Sequence, residues 1–540
     1  MKKNLNYIAL GLGLILTLNA CDVNRLPETA ISDDVFWRSE NDLKQAANYL
    51  YIWMPSFNTD DNWSDDGFGL TANGISDGSR ITPATDGGFN ESYRLIRAAN
   101  NIIEKAPRAA GNASIAAIDL YTAEARFFRA LGYFSLVQRY GDVPLILKTL
   151  TEDSPELQDP AAPREQIFDQ IYQDLDFAAS KLPTPTALGT ANFGRISNTA
   201  ALAFKARVAL FEGTRTKFHN YGNATKHLTL AVDAAKAVID SRQHDLFASY
   251  FNLFQYEGEG RQNRENIMVR QFGVSLTDRV STHNYYRGSL ENGNHNPTKA
   301  LADAYLMRDG LTIDKSPLYK TPSATIEIFA NRDLRMSHTF MKRGDAMMTT
   351  KLIFDVANLS FNRTGYMFRK FANVDDWNTS ASRIDRPVLR YGEVLIIYAE
   401  AKFELDGNIS DADLELSVNR TRARGGLPKL TNAFVATNNL NMREELRRER
   451  RIELAQEGFR YWDLIRWKAA EIELPKPVLG IFFFRAEFPI NAQPLLTADN
   501  IIIAQAANFR RFNPAKDYLW PLPINEISLN PSLKQNPGWQ

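Results

Sequence analysis

Apolar positions recur at helical spacing through most of this 540-residue chain, in blocks closed by glycine, proline or asparagine. The first block, "SENDLKQAANYLYIWM", opens on Ser39 as a helix cap with Glu and Asp in its first turn. Further blocks follow in pairs. "NESYRLIRAANNIIEKAP" precedes the long "ASIAAIDLYTAEARFFRALGYFSLVQRYG", which Gly141 and Pro144 stop. Next come "REQIFDQIYQDLDFAASKLP", "ISNTAALAFKARVALFEGT" and "ATKHLTLAVDAAKAVIDS"; much later, "RPVLRYGEVLIIYAEAKFEL" and "DADLELSVNRTRARGG". Small residues (Ala200, Ala201, Ala203, Ala206, Ala209) stand where helices must approach closely. The pattern predicts a mainly α protein of tetratricopeptide-like helix pairs, without a strict 34-residue period.

Three stretches break the periodicity. Residues 55–89 are rich in Gly, Asp, Asn and Ser and read as one long irregular loop, the kind that carries function. Residues 251–385 are loopier and rich in Asn, Gly and Tyr. Residues 469–540 show little regular pattern. An apolar burst at 481–484 is too short to span a bilayer.

The N-terminus explains the cysteine count. Lys2 and Lys3 precede a twelve-residue apolar run, 7–18, and the chain then reads "LNAC", ending on Cys21, its only cysteine. This is the form of a secretory signal peptide. Small residues before a cysteine resemble the lipobox of bacterial lipoproteins, so residues 1–20 are expected to be removed. Cys21 would then carry lipid, with palmitate among its acyl chains; two or more chains make such an anchor stable. A single cysteine excludes disulfides within the chain and a thiolate metal cluster. Residues 21–40 read as a tether.

Charge adds an exclusion. Sixty-three basic residues balance sixty-three acidic ones, so net charge gives no case for nucleic acid. The most charged stretch is 447–468, "RRERRIELAQEGFRYWDLIRWK", with seven basic and four acidic residues. It reads as a helix continuing from "NNLNMREEL", ended or bent at Gly458. Glu445, Glu449, Glu453 and Glu457 form one stripe at i,i+4 spacing, which repels within an isolated helix. Offsets such as Glu444 with Arg448 and Arg450 with Glu453 satisfy little of it. The stripe is expected to meet arginines of neighbouring elements, for example Arg386, Arg390 or Arg420, with Trp462 and Trp467 as core anchors. The stretch is therefore read as internal framework.

Five segments in order resemble the SusD/RagB family of Bacteroidota outer-membrane lipoproteins: "AEARFFRALGYFSLVQRYGDVPLI", "NPTKALADAYLMRDG", "RPVLRYGEVLIIYAEA", the 447–468 block, and the terminal "YLWPLPINEISLNPSLKQNPGW". With the lipobox, the resemblance covers nearly the whole mature chain. It implies a right-handed α-superhelical scaffold of helix pairs carrying a loop-rich lobe. The implied division is an N-terminal helical region, 41–250, and a C-terminal region, 251–540. The latter comprises a lobe at 251–385, helices at 386–468 and an irregular end at 469–540. It implies a protein that binds nutrient glycans at the cell surface and passes them to a SusC-like, TonB-dependent outer-membrane barrel, without catalysis and without a cofactor. Some relatives take peptides, so the cargo class stays open. Surface export in this phylum is associated with acids after the lipidated cysteine, and this chain has one, Asp22.

A neutral sugar offers hydroxyls and flat apolar faces, so its site needs aromatic platforms beside Asp, Asn, Arg or Gln on loops. Three loop segments qualify. "TDDNWSDDGF" with "DGGFNESY" supplies Asp61, Asn62, Trp63, Asp65, Phe89, Asn90 and Tyr93. "STHNYYRGSLENGNHN" supplies His283, Asn284, Tyr285, Tyr286 and Arg287. "NVDDWNTSASRIDRP" supplies Asp376, Trp377, Asn378 and Arg383. Trp63 and Trp377 suit ligand contact, local packing or barrel docking equally. The acidic run at 59–67 lacks the register of a helix–loop–helix Ca²⁺ site, and the scattered histidines lack metalloprotease spacing. A two-carboxylate glycoside hydrolase and a peptide-binding helical-repeat adaptor are the competing classes; no motif singles out a carboxylate pair for the first, and an adaptor leaves the aromatic loops unexplained.

Overall fold

The computed structural model describes residues 33, 35–273, 282–283, 285–346, 353–373, 376 and 381–539. Ser39 caps the first helix, α1 (Glu40–Leu50), in a reciprocal capping box with Asp42. α2 (Gly87–Lys105), α3 (Ile115–Tyr140), α4 (Arg164–Lys181), α5 (Asn198–His219) and α6 (Ala224–Asp240) follow, each packed on its predecessor. Gly141 ends α3 with φ of 76°. Close approach is built into the sequence. A Cβ on Gly132 of α3 would stand 2.9 Å from Ile96 of α2, and one on Gly213 of α5 would stand 2.9 Å from Leu228 of α6. The five alanines of α5 are fully buried.

Bidentate arginine–carboxylate pairs tie the scaffold together. Arg129 grips Asp174 between α3 and α4 at 2.8 and 2.7 Å. Arg164 grips Glu212 between α4 and α5 at 2.8 and 2.6 Å. Arg207 of α5 grips Glu393 at 2.7 and 2.6 Å, on α7 (Tyr391–Asp406), which also packs on α6. The planar fork of arginine matches a carboxylate edge, so each pair fixes orientation as well as distance.

The segment 386–405 is not helical throughout. Arg386–Arg390 is a strand, β2, paired antiparallel with β1 (Asn266–Arg270), and α7 begins at Tyr391. Pro387 is the cause: it lacks an N–H and biases Arg386 to extended backbone. The charged stretch also departs from one long helix. α8 (Val418–Arg424) packs beside α9 (Met442–Glu453), which stops five residues before Gly458, and α10 (Arg460–Arg466) starts anew. Side chains take the carbonyls that a continuing helix would use. The Glu453 carbonyl accepts from Arg390 Nη2 at 2.6 Å and Tyr250 Oη at 2.8 Å, and the Ala455 carbonyl accepts from Lys370 Nζ at 2.8 Å.

The glutamate stripe is internal. Glu449 binds Arg335 and Thr421; Glu453 binds Arg335, Arg390 and Arg424; Glu457 binds Arg390 and Lys370. Of the arginines expected to meet it, Arg390 does so, Arg386 reaches only the Glu457 carbonyl, and Arg420 turns to Asp245. Within the stretch, Arg448 pairs with Glu445 rather than Glu444, and Arg450 with Asp463 rather than Glu453. Three arginines hold the Glu453 carboxyl down at about 2, against the cost of burial. Trp462 and Trp467 are buried as anchors, Trp467 donating to Glu400 at 2.6 Å.

The main apolar core runs from Trp37 to Leu522 and takes in α1 to α7 and α10, while Val418 of α8 and Met442 and Leu446 of α9 pack in a separate cluster with Ile396 and Ala399. A second core lies under the lobe and takes in Ile452 and Ala455 from the charged stretch. The C-terminal segment contributes an antiparallel pair, β3 (Val478–Phe482) with β4 (Ile501–Gln505), so the apolar burst forms strand and second core. Among the described residues no helix is long and apolar enough to cross a membrane.

Candidate functional site

Loops from four parts of the chain meet over the β1–β2 pair. Phe57, in the long first loop, is the hub. Its ring stacks on Tyr285 at 5.1 Å and Phe272 at 5.8 Å, packs on His283 at 4.3 Å, and meets the edge of Phe371 at 4.9 Å. The Arg386 guanidinium lies 5.9 Å from the same ring. Phe57 and Tyr285 are half-buried, leaving part of this aromatic wall at the surface.

The second and third predicted segments join through a backbone bridge. His283 N donates to Ser382 O at 2.9 Å, Ser382 N returns to His283 O at 2.8 Å, and His283 Nε2 bonds the Ile384 carbonyl at 3.0 Å. Burial lowers the His283 pKa to about 4, so its ring is neutral. Asp376 accepts from the Tyr256 hydroxyl and from Ser382 Oγ. Arg383 lies over the Tyr256 ring at 4.1 Å and pairs with Glu259 at 3.3 Å. Glu259 also accepts from Asp385 N at 3.0 Å, and Asp385 accepts from Phe272 N at 3.0 Å. Burial, with the Asp385 charge nearby, pushes Glu259 up to about 8; burial pushes Asp385 up to about 6.

Beside the wall opens a pocket of about 150 Å³ whose rim carries Asn58, Asp60, Gln138 and Arg386. Wall and rim together offer flat apolar faces next to hydrogen-bond donors and acceptors. Among the described residues no group of three or more His, Cys, Asp or Glu side chains could hold a metal ion.

Tyr285, His283, Asp376 and Arg383 are thus brought together. Most candidates of the first segment have internal partners instead. Asp61 is buried and accepts from Gly458 N at 2.9 Å, and burial with Asp66 nearby raises it to about 8. Asn62 is buried, bonding His295 and the Asn294 carbonyl. Asp65 is held by Arg451 and Arg460. Trp63 packs edge-on against Tyr461, Trp462 and Trp520 at 5.8, 6.3 and 5.2 Å, which is local packing. Phe89 is buried on α2 against Tyr140, half-buried Asn90 follows it, and Tyr93 donates to the Pro144 carbonyl at 2.9 Å. Phe89 and Tyr93 line a separate groove with Leu157 and Leu529. Tyr286 is buried in a small apolar cluster with Met341 and Phe354, and Arg287 pairs with Glu291 on its own helix at 2.7 Å. Cys21, Asn284, Trp377 and Asn378 lie outside the described residues.

Phe57, Asn58, Asp60, Gln138, Tyr256, Glu259 and Arg386 were not among the sequence candidates. Phe57 sits in the same irregular loop, in "PSFNTDDNW", and Tyr256 in the glycine-rich "FQYEGEG"; both stretches carry the aromatic-plus-polar signature. Gln138 and Arg386 lie on regular elements and gave no such signal.

Residues 253–539 match the model of the SusD family, and residues 41–210 match a family described as starch-binding and associating with the outer membrane. A SusD-like protein of Formosa agariphila is 25% identical, with 99% of each chain covered. One of Bacteroides ovatus is 23% identical, with 86% of this chain and 83% of that one covered. Among solved structures, a SusD-like carbohydrate-binding protein of Bacteroides fragilis aligns with a TM-score of 0.77 at 24% identity, covering 92% of this chain and all of that one. A laminarin-binding SusD-like protein aligns with a TM-score of 0.62 at 21% identity, covering 93% and 100%. These neighbours share the mainly helical fold. With more than half of its length matching the family model, the chain belongs to the SusD family.

Proposed function

We propose that this protein binds oligosaccharide or polysaccharide nutrients at the outer surface of the outer membrane and hands them to a SusC-like, TonB-dependent barrel, without turning them over. The observation that carries the reading is the aromatic wall of Phe57 and Tyr285 beside the polar rim of Asn58, Asp60, Gln138 and Arg386. Flat faces next to paired donors and acceptors suit sugar rings, whose apolar faces and hydroxyls alternate. Family membership supports it, as does a structural neighbour described as laminarin-binding. Lipid at Cys21 would hold the protein to the membrane while its lobe engages cargo.

A retardation gel with a polysaccharide panel that includes laminarin and starch, run beside a reducing-sugar assay, tests the reading. Retardation without sugar release is expected. Release that vanishes when one acidic pair is substituted would replace binding with hydrolysis, and retention of peptides alone would change the cargo class. Co-purification with a TonB-dependent barrel tests the partner. For the anchor, Cys21→Ala should abolish incorporation of labelled palmitate; unchanged labelling would refute lipidation at Cys21.

A further inference from the structure

The small pocket beside the Phe57 wall has a closed base. Trp462, Asp463, Arg466 and Arg450 form it, none of them more than 9% exposed. Its charges are matched: Asp463 accepts from Arg450 Nε at 2.8 and 2.9 Å and from Arg466 Nε at 2.8 Å, and Arg466 also holds Glu400. Two further lining charges are paired outward, Arg207 with Glu393 and Glu457 with Arg390 and Lys370. The rim is different. Asp60 accepts from Asn58 Nδ2 at 2.7 Å and has no ion pair among the described residues. Arg386 reaches the Glu457 carbonyl through one long bond of 3.4 Å, and its buried Nη1 has no partner among the described residues. At the base, Arg450 gives its Nε to Asp463, but its Nη1, on a side chain only 4% exposed, also has no partner among the described residues.

The pocket thus presents one carboxylate acceptor and two guanidinium donors over an apolar floor of Phe134, Phe211, Phe459 and Trp462. Buried donors without partners are costly, so a ligand that supplies acceptors gains more here than on open surface. The free charges, Asp60 and Arg386, cancel. An anionic group would face Asp60, a cationic one the arginines, and an apolar one would leave the donors unmet. A neutral polyol ring, with hydroxyls that both give and take hydrogen bonds, meets all of them. At about 150 Å³ the space falls below the ~300–1,000 Å³ of pockets for drug-sized ligands. That admits a single ring. Because packed core closes the base, a chain cannot thread through.

Resting on the glycan reading above, we propose that this pocket takes one terminal, uncharged sugar ring, so that the protein recognises chain ends or branch tips while the Phe57 wall carries the residues that follow.

The test uses the detergent-solubilised full chain, a panel of methyl glycosides of glucose, galactose, mannose, xylose and N-acetylglucosamine read by saturation-transfer NMR, and the polysaccharide gel. At least one methyl glycoside should bind at millimolar concentration. Asp60→Asn and Arg386→Gln should each weaken it about tenfold, the loss of one charged hydrogen bond, whereas Phe57→Ala should weaken polysaccharide retention and spare the glycoside. Circular dichroism melts confirm that the variants fold. A retained polysaccharide with no bound glycoside, or glycoside binding indifferent to both rim variants, would overturn the end-pocket and leave the glycan reading standing. A bound glycoside without any retained polysaccharide would keep the pocket and remove the polymer reading. Binding of neither would remove both.

Discussion

Two carboxylate clusters in this molecule sit on opposite sides of their ordinary protonation range. In the framework, Glu453 meets Arg335, Arg390 and Arg424 and is held down at about 2. In the candidate site, Glu259 has Arg383 at 3.3 Å but also faces Asp385 and Asp376, and is pushed up to about 8. Both are largely out of water. The sign of the shift is set by the company each keeps. The framework spends its arginines on its own carboxylates and presents little to a ligand. Around the site pairing is thinner: Asp60 has no ion pair among the described residues, and Arg386 makes one long bond of 3.4 Å to a carbonyl. The region that is loudest in charge is therefore structural, and the quieter one is where binding chemistry is available.

The largest effect should come from breaking the framework. Glu453→Gln leaves three buried guanidiniums facing a neutral amide, and about 3–5 kcal/mol should be lost in urea unfolding. Polysaccharide retention by the protein that stays folded should not change. Trp63→Ala comes next. Its ring is half-buried among Tyr461, Trp462 and Trp520, so roughly 2–4 kcal/mol of stability should go with little change in retention. Intact stability with lost retention would instead move Trp63 into the binding site. Phe57→Ala should differ in kind: its half-buried ring also packs on Phe272, His283, Tyr285 and Phe371, so roughly 1–3 kcal/mol of stability should go, but the protein that stays folded should also lose retention several-fold, the size of ~0.5–1.5 kcal/mol for an aromatic contact.

The smallest effect separates the two clusters by pH. Glu453 has its folded pKa below the ordinary 4.5, so its contribution is present above that value and is lost as pH falls towards about 2. Glu259 has its folded pKa above 4.5, so its contribution is present in acid and is lost as pH rises through about 8. Asp385 behaves likewise around pH 6. Protection factors, the base-catalysed intrinsic rate divided by the observed exchange rate, should fall between pH 6 and 9 at the Asp385 and Phe272 amides, which donate to these two carboxyls, and stay constant at the amides of α9. Equal change in both would erase the distinction.

The sequence by itself determined the helix pairs. Apolar spacing, the Ser39 cap, the Gly141 stop and the alanine run in α5 are local signals, and each corresponds to a helix or contact found in the structure. The five ordered segments placed the chain in its family, and the glutamate stripe told that its partners lie on other elements. Tertiary structure decided which partners: Arg335 stands 114 positions from Glu449, and Arg424 stands 29 positions from Glu453. It also decided where α9 stops, because distant Arg390 and Tyr250 take the carbonyl of Glu453, its last residue, and Lys370 takes that of Ala455 beyond it. The site shows the same limit. Aromatic and polar residues in irregular loops marked the sectors, but a loop does not reveal which side chains turn inward. Trp63 and Phe57 lie six positions apart in one loop; the first entered a cluster with Trp520 and the second became the wall. Such outcomes depend on contacts made across hundreds of residues, which local spacing does not encode.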